Sequence, residues 1–317
     1  MKLFLTTASV IGLCAVQASA QGLTYADANF DYTTYNGDGG IELSSTDFDG
    51  EIEYQLDSLY GNLFARSSNI DGEFGPDGVT VTEFGAAAGY FVLPEVLVGI
   101  GGQSISIDTG GGDESLSGYD VFAQYDNGQY AGAINYSVLE ADGNEVDFLR
   151  FFGEAEVMPG VGVDFMYETS DELYDGEGVY AIGGTYGAGP INVRGYLLSF
   201  TDADAESFYG LNASYAFGSG LSAGAGYEAS TDSDFDYSSL FIEAGYEFMP
   251  GVSVSGHAGR ISLGETEVDT LGLSLSYEMG EQTRVDRRAE ARVRDDLSKG
   301  YLGLLPDFGI GLIGFGI

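Results

Sequence analysis

Between Leu23 and Met279, apolar and polar side chains alternate with a period of two, the signature of half-buried strands rather than helices. Leu271, Leu273, Leu275 and Tyr277 fall on one face, with Gly272, Ser274, Ser276 and Glu278 on the other. Leu240, Ile242, Ala244, Tyr246 and Phe248 form a second apolar row. Leu221, Ala223, Ala225, Tyr227 and Ala229 form a third, and Val161, Val163, Phe165 and Tyr167 a fourth. The runs last about 9 to 13 residues, beyond the usual ~5–6 of soluble sheets and close to the ~9–11 of a tilted membrane-crossing strand. The alternation is least regular over Val96 to Ile107 and near Arg260.

The breaks between runs are of two kinds that take turns along the chain. One kind is tight and nearly uncharged: Leu93-Pro94-Glu95, Asp126-Asn127-Gly128, Met158-Pro159-Gly160, Gly187 to Pro190, Gly218-Ser219-Gly220 and Met249-Pro250-Gly251. The other is longer and acidic, at Asp71 to Asp77, Asp113-Glu114, Glu140 to Glu145, Asp171 to Glu177, Asp202 to Glu206, Asp232 to Asp236 and Glu265 to Asp269. With an early acidic loop near Asp38 and a turn at Asp57-Ser58, the count is about sixteen strands, within roughly 14 to 18. A soluble sandwich has no reason to sort its connections by strand parity. A barrel in an outer membrane does, because its short turns face the periplasm and its longer loops face outward. The predicted fold is therefore all-β, a closed antiparallel transmembrane β-barrel, closed because unpaired backbone cannot face lipid.

Composition narrows the function. The 317 residues carry 50 Asp and Glu against 11 Lys and Arg, for a net charge of -39. Such a surface repels phosphate backbones, so nucleic acid is excluded as a partner. The one cysteine, Cys14, leaves no disulfide framework or thiolate metal site, and no cofactor is implied. Residues 1–20 read as a cleaved secretory signal: Lys2 at the start, an apolar stretch from Leu3 to Val16, and Ala18-Ser19-Ala20 as the cleavage site. The expected organisation is signal peptide 1–20, barrel 21–280 and tail 281–317.

These features resemble the Gram-negative outer-membrane porins. The resemblance rests on the signal sequence, the strands of membrane length, the Pro-Gly turns and the Leu273-Ser274-Leu275-Ser276-Tyr277-Glu278-Met279 closing strand. It implies a homotrimer set in outer-membrane lipid and lipopolysaccharide, passing small hydrophilic solutes. This sequence departs from that family at three points. Met279 stands where the terminal aromatic residue of the family would be, and the chain continues to Ile317. The third loop, about Asp108 to Ser115, is short and Gly-rich, and a facing cluster of arginines is absent. No eyelet carries over.

Residues 21 to 280 hold 44 acids, 4 arginines and no lysine. Charge on the lipid side costs up to about 2–4 kcal/mol. Strand parity therefore turns Glu51, Glu53, Asp120, Glu154, Glu156, Asp164, Glu168, Glu243, Glu247 and Glu278 inward to line water. Arg66, Arg150 and Arg194 share that parity, and Arg150, four residues before Glu154, is expected to balance charge within the wall. Carboxylates without counter-bases concentrate cations and repel anions, so the expected function is a weakly cation-selective passive pore. The competing class is a structural or adhesive surface protein without a pore. Catalysis has little support: His257 is the only histidine and belongs to the interior face.

The tail changes composition. Arg284, Arg287, Arg288, Arg292 and Arg294 cluster in a short helical stretch, followed by an apolar segment from Gly303 to Ile317. Three placements follow: the basic helix docks at the acidic periplasmic mouth or enters the lumen as a plug; Ile313, Phe315 and Ile317 form an extra strand or a membrane-surface segment; or the tail is a periplasmic extension without a partner.

Overall fold

In a computed structural model, the described residues are 22–37, 40–72, 78–141, 143–170, 178–201, 207–231 and 236–297. The signal sequence, the end of the tail from residue 298, and much of the acidic loops lie outside them.

The alternating runs form strands β1 (Leu23–Gly37), β2 (Ile41–Leu56), β3 (Leu59–Gly72), β4 (Val79–Leu93), β5 (Val96–Asp108), β6 (Asp113–Asp126), β7 (Tyr130–Ala141) and β8 (Asn144–Met158). They continue as β9 (Val161–Thr169), β10 (Gly178–Ala188), β11 (Ile191–Phe200), β12 (Ser207–Ala216), β13 (Leu221–Ser230), β14 (Tyr237–Met249), β15 (Val252–Leu263) and β16 (Thr266–Gly280). Each pairs antiparallel with its sequence neighbours, and β1 pairs with β16, so the sixteen strands close into a barrel. Closure runs from Tyr25 opposite Gly280 to Gly37 opposite Val268, and it leaves no free edge. One helix follows, α1 (Val285–Leu297).

The Pro-Gly turns work by backbone geometry. Gly160 has φ 78° and Gly251 φ 76°, the left-handed value that a turn with proline before glycine demands. A Cβ at Gly160 would lie 2.3 Å from the Gly187 carbonyl oxygen, and one at Gly251 would lie 2.1 Å from that of Glu278. Both turns instead accept a bond from the next strand, from Gly187 N–H at 2.6 Å and from Glu278 N–H at 2.8 Å.

Parity sorts the two faces of the wall. Leu63, Phe84, Ile100, Val121, Ile182, Leu211, Leu240, Ile242, Leu271 and Leu273 are exposed on the outer face. Tyr54, Tyr90, Tyr125, Tyr186, Tyr215 and Tyr246 are exposed close to the tight-turn end, where an aromatic girdle meets a membrane interface. Among the described residues no helix is long and apolar enough to cross a membrane.

Two expectations need correction, and the outward parity of Arg260 holds. The irregularity over Val96 to Ile107 is not a slip of register, since β5 pairs with β4 in continuous register from Leu97 to Thr80's partner Asp108. Leu97 and Ile105 simply face inward. Leu97 packs with Tyr60 and Phe122, and Ile105 with Val81 and Leu116. Arg260 does keep outward parity, with no bulge nearby. It is relieved at the barrel end by Asp269 at 2.7 Å and Glu267 at 2.8 Å, both on β16. Lastly, the acidic connections at 140–145 and 265–269 are tight. β8 begins at Asn144 and β16 at Thr266, so Glu140, Glu145, Glu267 and Asp269 are strand residues.

Candidate functional site

Following Gly280 the chain turns back and enters the barrel. Residues 282–292 touch side chains of β2, β3, β6 and β8. These strands lie apart around the ring, so only a segment inside it can reach them all. Val285 is fully buried and Ala289, one turn later, nearly so. The helix starts at Val285 and runs for 13 residues, about 20 Å.

The wall supplies what the helix start lacks. The first N–H groups of a helix have no internal partner. Here the Glu53 carboxylate accepts from Thr283 N–H at 2.6 Å and from Arg284 N–H at 3.4 Å, in the manner of an N-cap. The Gln124 amide accepts from Val285 N–H at 3.1 Å and donates to the Thr283 carbonyl at 2.8 Å. Glu51 accepts from Gln282 at 2.8 Å, and Tyr60 completes Glu53 with a bond of 2.7 Å.

The arginines of the tail meet acids on every side. Arg284 pairs with Asp286 and lies 3.4 Å from Asp120, with its guanidinium 3.9 Å over the Phe122 ring. Arg288 bridges Asp126, at 2.6 Å, and Glu154, which Arg292 also engages. Burial works against the charge on Arg284 and Arg288, but Asp286 for one and Asp126 with Glu154 for the other outweigh it, so both pKa values are raised. Burial likewise opposes ionisation of Asp286. Arg284, Arg287 and a hydrogen bond from Asn135 (3.0 Å) prevail and hold its carboxyl at about 2.

The strand arginines are paired within the wall, as expected, with partners on neighbouring or next-neighbouring strands. Arg150 does not balance Glu154. It pairs with Glu168, its opposite on β9, and lies 3.5 Å from Glu290 of α1. Arg66 faces Glu83 across β3 and β4 at 3.5 Å. Arg194 grips Asp164 with bonds of 2.7 and 3.1 Å, reaching over β10 at Gly183.

Glu51, Glu53, Asp120 and Glu154 thus gather around the tail, with Glu156 and Asp164 beside a cavity of about 280 Å³ at the tight-turn end of α1. Glu168 is fully buried beside Arg150. Glu243, Glu247 and Glu278 sit on β14 and β16, away from these contacts, and Glu247 accepts from Gly251 N–H at 3.0 Å. His257 lies opposite Glu243 and Gly272, and a Cβ at Gly272 would fall 2.1 Å from its ring. Sequence reading missed Glu83, Gln124, Asp126 and Glu228. Inward parity marks all four, and Glu228 is held by Tyr196 and Tyr237 hydroxyls at 2.9 and 2.7 Å.

A second, smaller cavity of about 50 Å³ brings Arg66 and Arg150 of the wall together with Arg284 and Arg287 of the tail. An arginine cluster therefore exists after all, half of it delivered by a segment distant in sequence. Glu83, Asp120, Asp286 and Glu290 line the same cavity, so its formal charges balance.

No protein-family model and no curated protein sequence matches this chain. Solved structures do resemble it. OccAB4 of Acinetobacter baumannii aligns with a TM-score of 0.54 at 9% identity, over 83% of this chain and 99% of that one. OpdQ of Pseudomonas aeruginosa aligns at 0.52 with 10% identity, over 82% and 99%. The outer membrane protein opdK of Pseudomonas aeruginosa aligns at 0.52 with 12% identity, over 81% and 98%. At such identities the likeness is one of fold: nearly the whole of each of these chains superposes on the barrel of this one.

Proposed function

We propose that this chain is an outer-membrane channel through which ions and small hydrophilic solutes diffuse passively, with a weak preference for cations. One observation carries the reading: the closed wall is apolar on its exposed outer face and rich in carboxylates on its inner face. An outer face of Leu, Ile, Val and Tyr suits lipid, and an inner face of Glu and Asp suits water and cations. The lining is formed by the inward acids together with Arg66, Arg150 and Arg194. The assembly we infer is a homotrimer surrounded by lipid and lipopolysaccharide. The fold neighbours support the outer-membrane setting, one of them being titled an outer membrane protein.

Planar bilayers test this directly. Purified protein in KCl should give stepwise currents, and in a salt gradient the reversal potential should move toward the potassium equilibrium value. A shift toward chloride would defeat the selectivity claim. The helix inside the barrel favours a second reading, a structural or adhesive barrel that does not conduct. Persistent silence with correctly folded protein would establish it.

A further inference from the structure

We propose that α1 is the constriction of this channel and that Arg287 sets the charge at its narrowest part. The inference rests on the channel reading and adds the element and the residue that limit passage.

Three observations carry it. First, the third connection, residues 109–112, is too short to reach the barrel axis from the wall. The segment that does cross the interior is the tail, fixed at its start by Glu53 and Gln124. Second, α1 separates two cavities, the larger of about 280 Å³ toward the tight turns and the smaller of about 50 Å³. The second, lined by both wall and helix, has room for only a few water molecules. Third, the helix arginines are not equivalent. Arg284, Arg288 and Arg292 bind wall or neighbouring carboxylates closely. Arg287 has one long contact, to Glu290 at 3.4 Å, and its guanidinium sits 3.6 Å over the Phe64 ring. Its side chain is only 8% exposed, yet Nε and Nη2 have no hydrogen-bond partner among the described residues. Buried N–H groups left unpaired are costly unless water or a passing ion meets them. Arg287 lines the small cavity.

The electrical consequence is local. Around most of the interior the wall presents acids in excess, while at Arg287 the charges balance. The constriction therefore narrows the bore and at the same time moderates a cation preference that the rest of the wall creates.

The test uses the full chain, a version ending at residue 280, and Arg287→Gln, each in bilayers with a KCl gradient. Truncation should raise single-channel conductance several-fold and move the reversal potential further toward potassium. Arg287→Gln keeps the helix and its other anchors, so it tests charge even if the truncation fails to assemble. It should move the reversal potential the same way, whereas Arg260→Gln, on the outer face, should not. A truncation that conducts like the full chain, or an Arg287→Gln variant with unchanged selectivity, would overturn the inference while leaving the channel standing. No current from full chain and truncation alike would instead overturn the channel. A silent full chain with a conducting truncation would overturn both, since α1 would then be a closed plug.

Discussion

At the scale of single residues, charge in the wall is governed by distance across strands, not along them. Four residues along a strand span about 13 Å, whereas opposite residues have Cβ atoms about 4.5–5.5 Å apart. Hence Arg150 finds Glu168 rather than Glu154, and the sequence, which shows neighbours along the chain but not across it, concealed the partner. The Arg194–Asp164 pair goes further and spans a whole strand. It closes only because Gly183 lies between: a Cβ there would be 2.4 Å from the carboxylate and 2.6 Å from the guanidinium. Both partners are largely buried, so parting them leaves charges poorly solvated. Gly183→Ala should therefore cost about 1–3 kcal/mol, read as a lower urea midpoint for unfolding from lipid vesicles. Gly61 is the control, since a Cβ there meets nothing within 4 Å. Equal effects at the two positions would show that backbone propensity, not the ion pair, is responsible.

At the scale of elements, α1 shows what periodicity conveys and what it does not. The change to Arg-rich composition after Gly280 marks a helix, but its destination depends on Glu53, Gln124, Asp120 and Glu154, which are scattered over strands that only closure brings together. Docking should depend on acid through Asp286, which faces Arg284, Arg287, Asn135 and Asp120. Its carboxyl is held at about 2, against 3.8 when free. Above pH ~4 it is ionised in both the docked and released states, and its stabilisation is fully present. As pH falls below that range the released state, which lacks the hydrogen bond from Asn135, takes up the proton first, so part of the docking stability is lost. Amide-exchange protection of 285–297, corrected for intrinsic rates, should fall over that window. Asp286→Asn should remove this part of the dependence. An unchanged pH profile in that variant would assign the acid response to wall carboxylates instead.

At the scale of the molecule, the alternation of connections set strand number and direction correctly, because every Pro-Gly turn and every acidic break coincides with a change of strand. Inward apolar residues such as Leu97 and Ile105 blurred the pattern, since a barrel partly filled by its own tail has an interior that is itself a core. That filling also bears on how the proposed channel should respond to salt. The 44 acids of residues 21–280 are spread along the whole barrel sequence, so the cation preference we propose would arise from a summed, long-range field. The small cavity beside α1 has balanced formal charge, so the constriction we propose there would add no strong local filter. A distributed field is screened: the Debye length falls from about 10 Å at 0.1 M to about 3 Å at 1 M salt. Reversal potentials measured at a fixed concentration ratio should therefore show cation preference clearly in dilute KCl and lose most of it near 1 M. A short-range ring of carboxylates at the narrowest point would behave differently, because ions in contact with it are not separated from it by electrolyte. Preference that survives 1 M salt would place unpaired acid at the constriction and contradict the charge balance around Arg287.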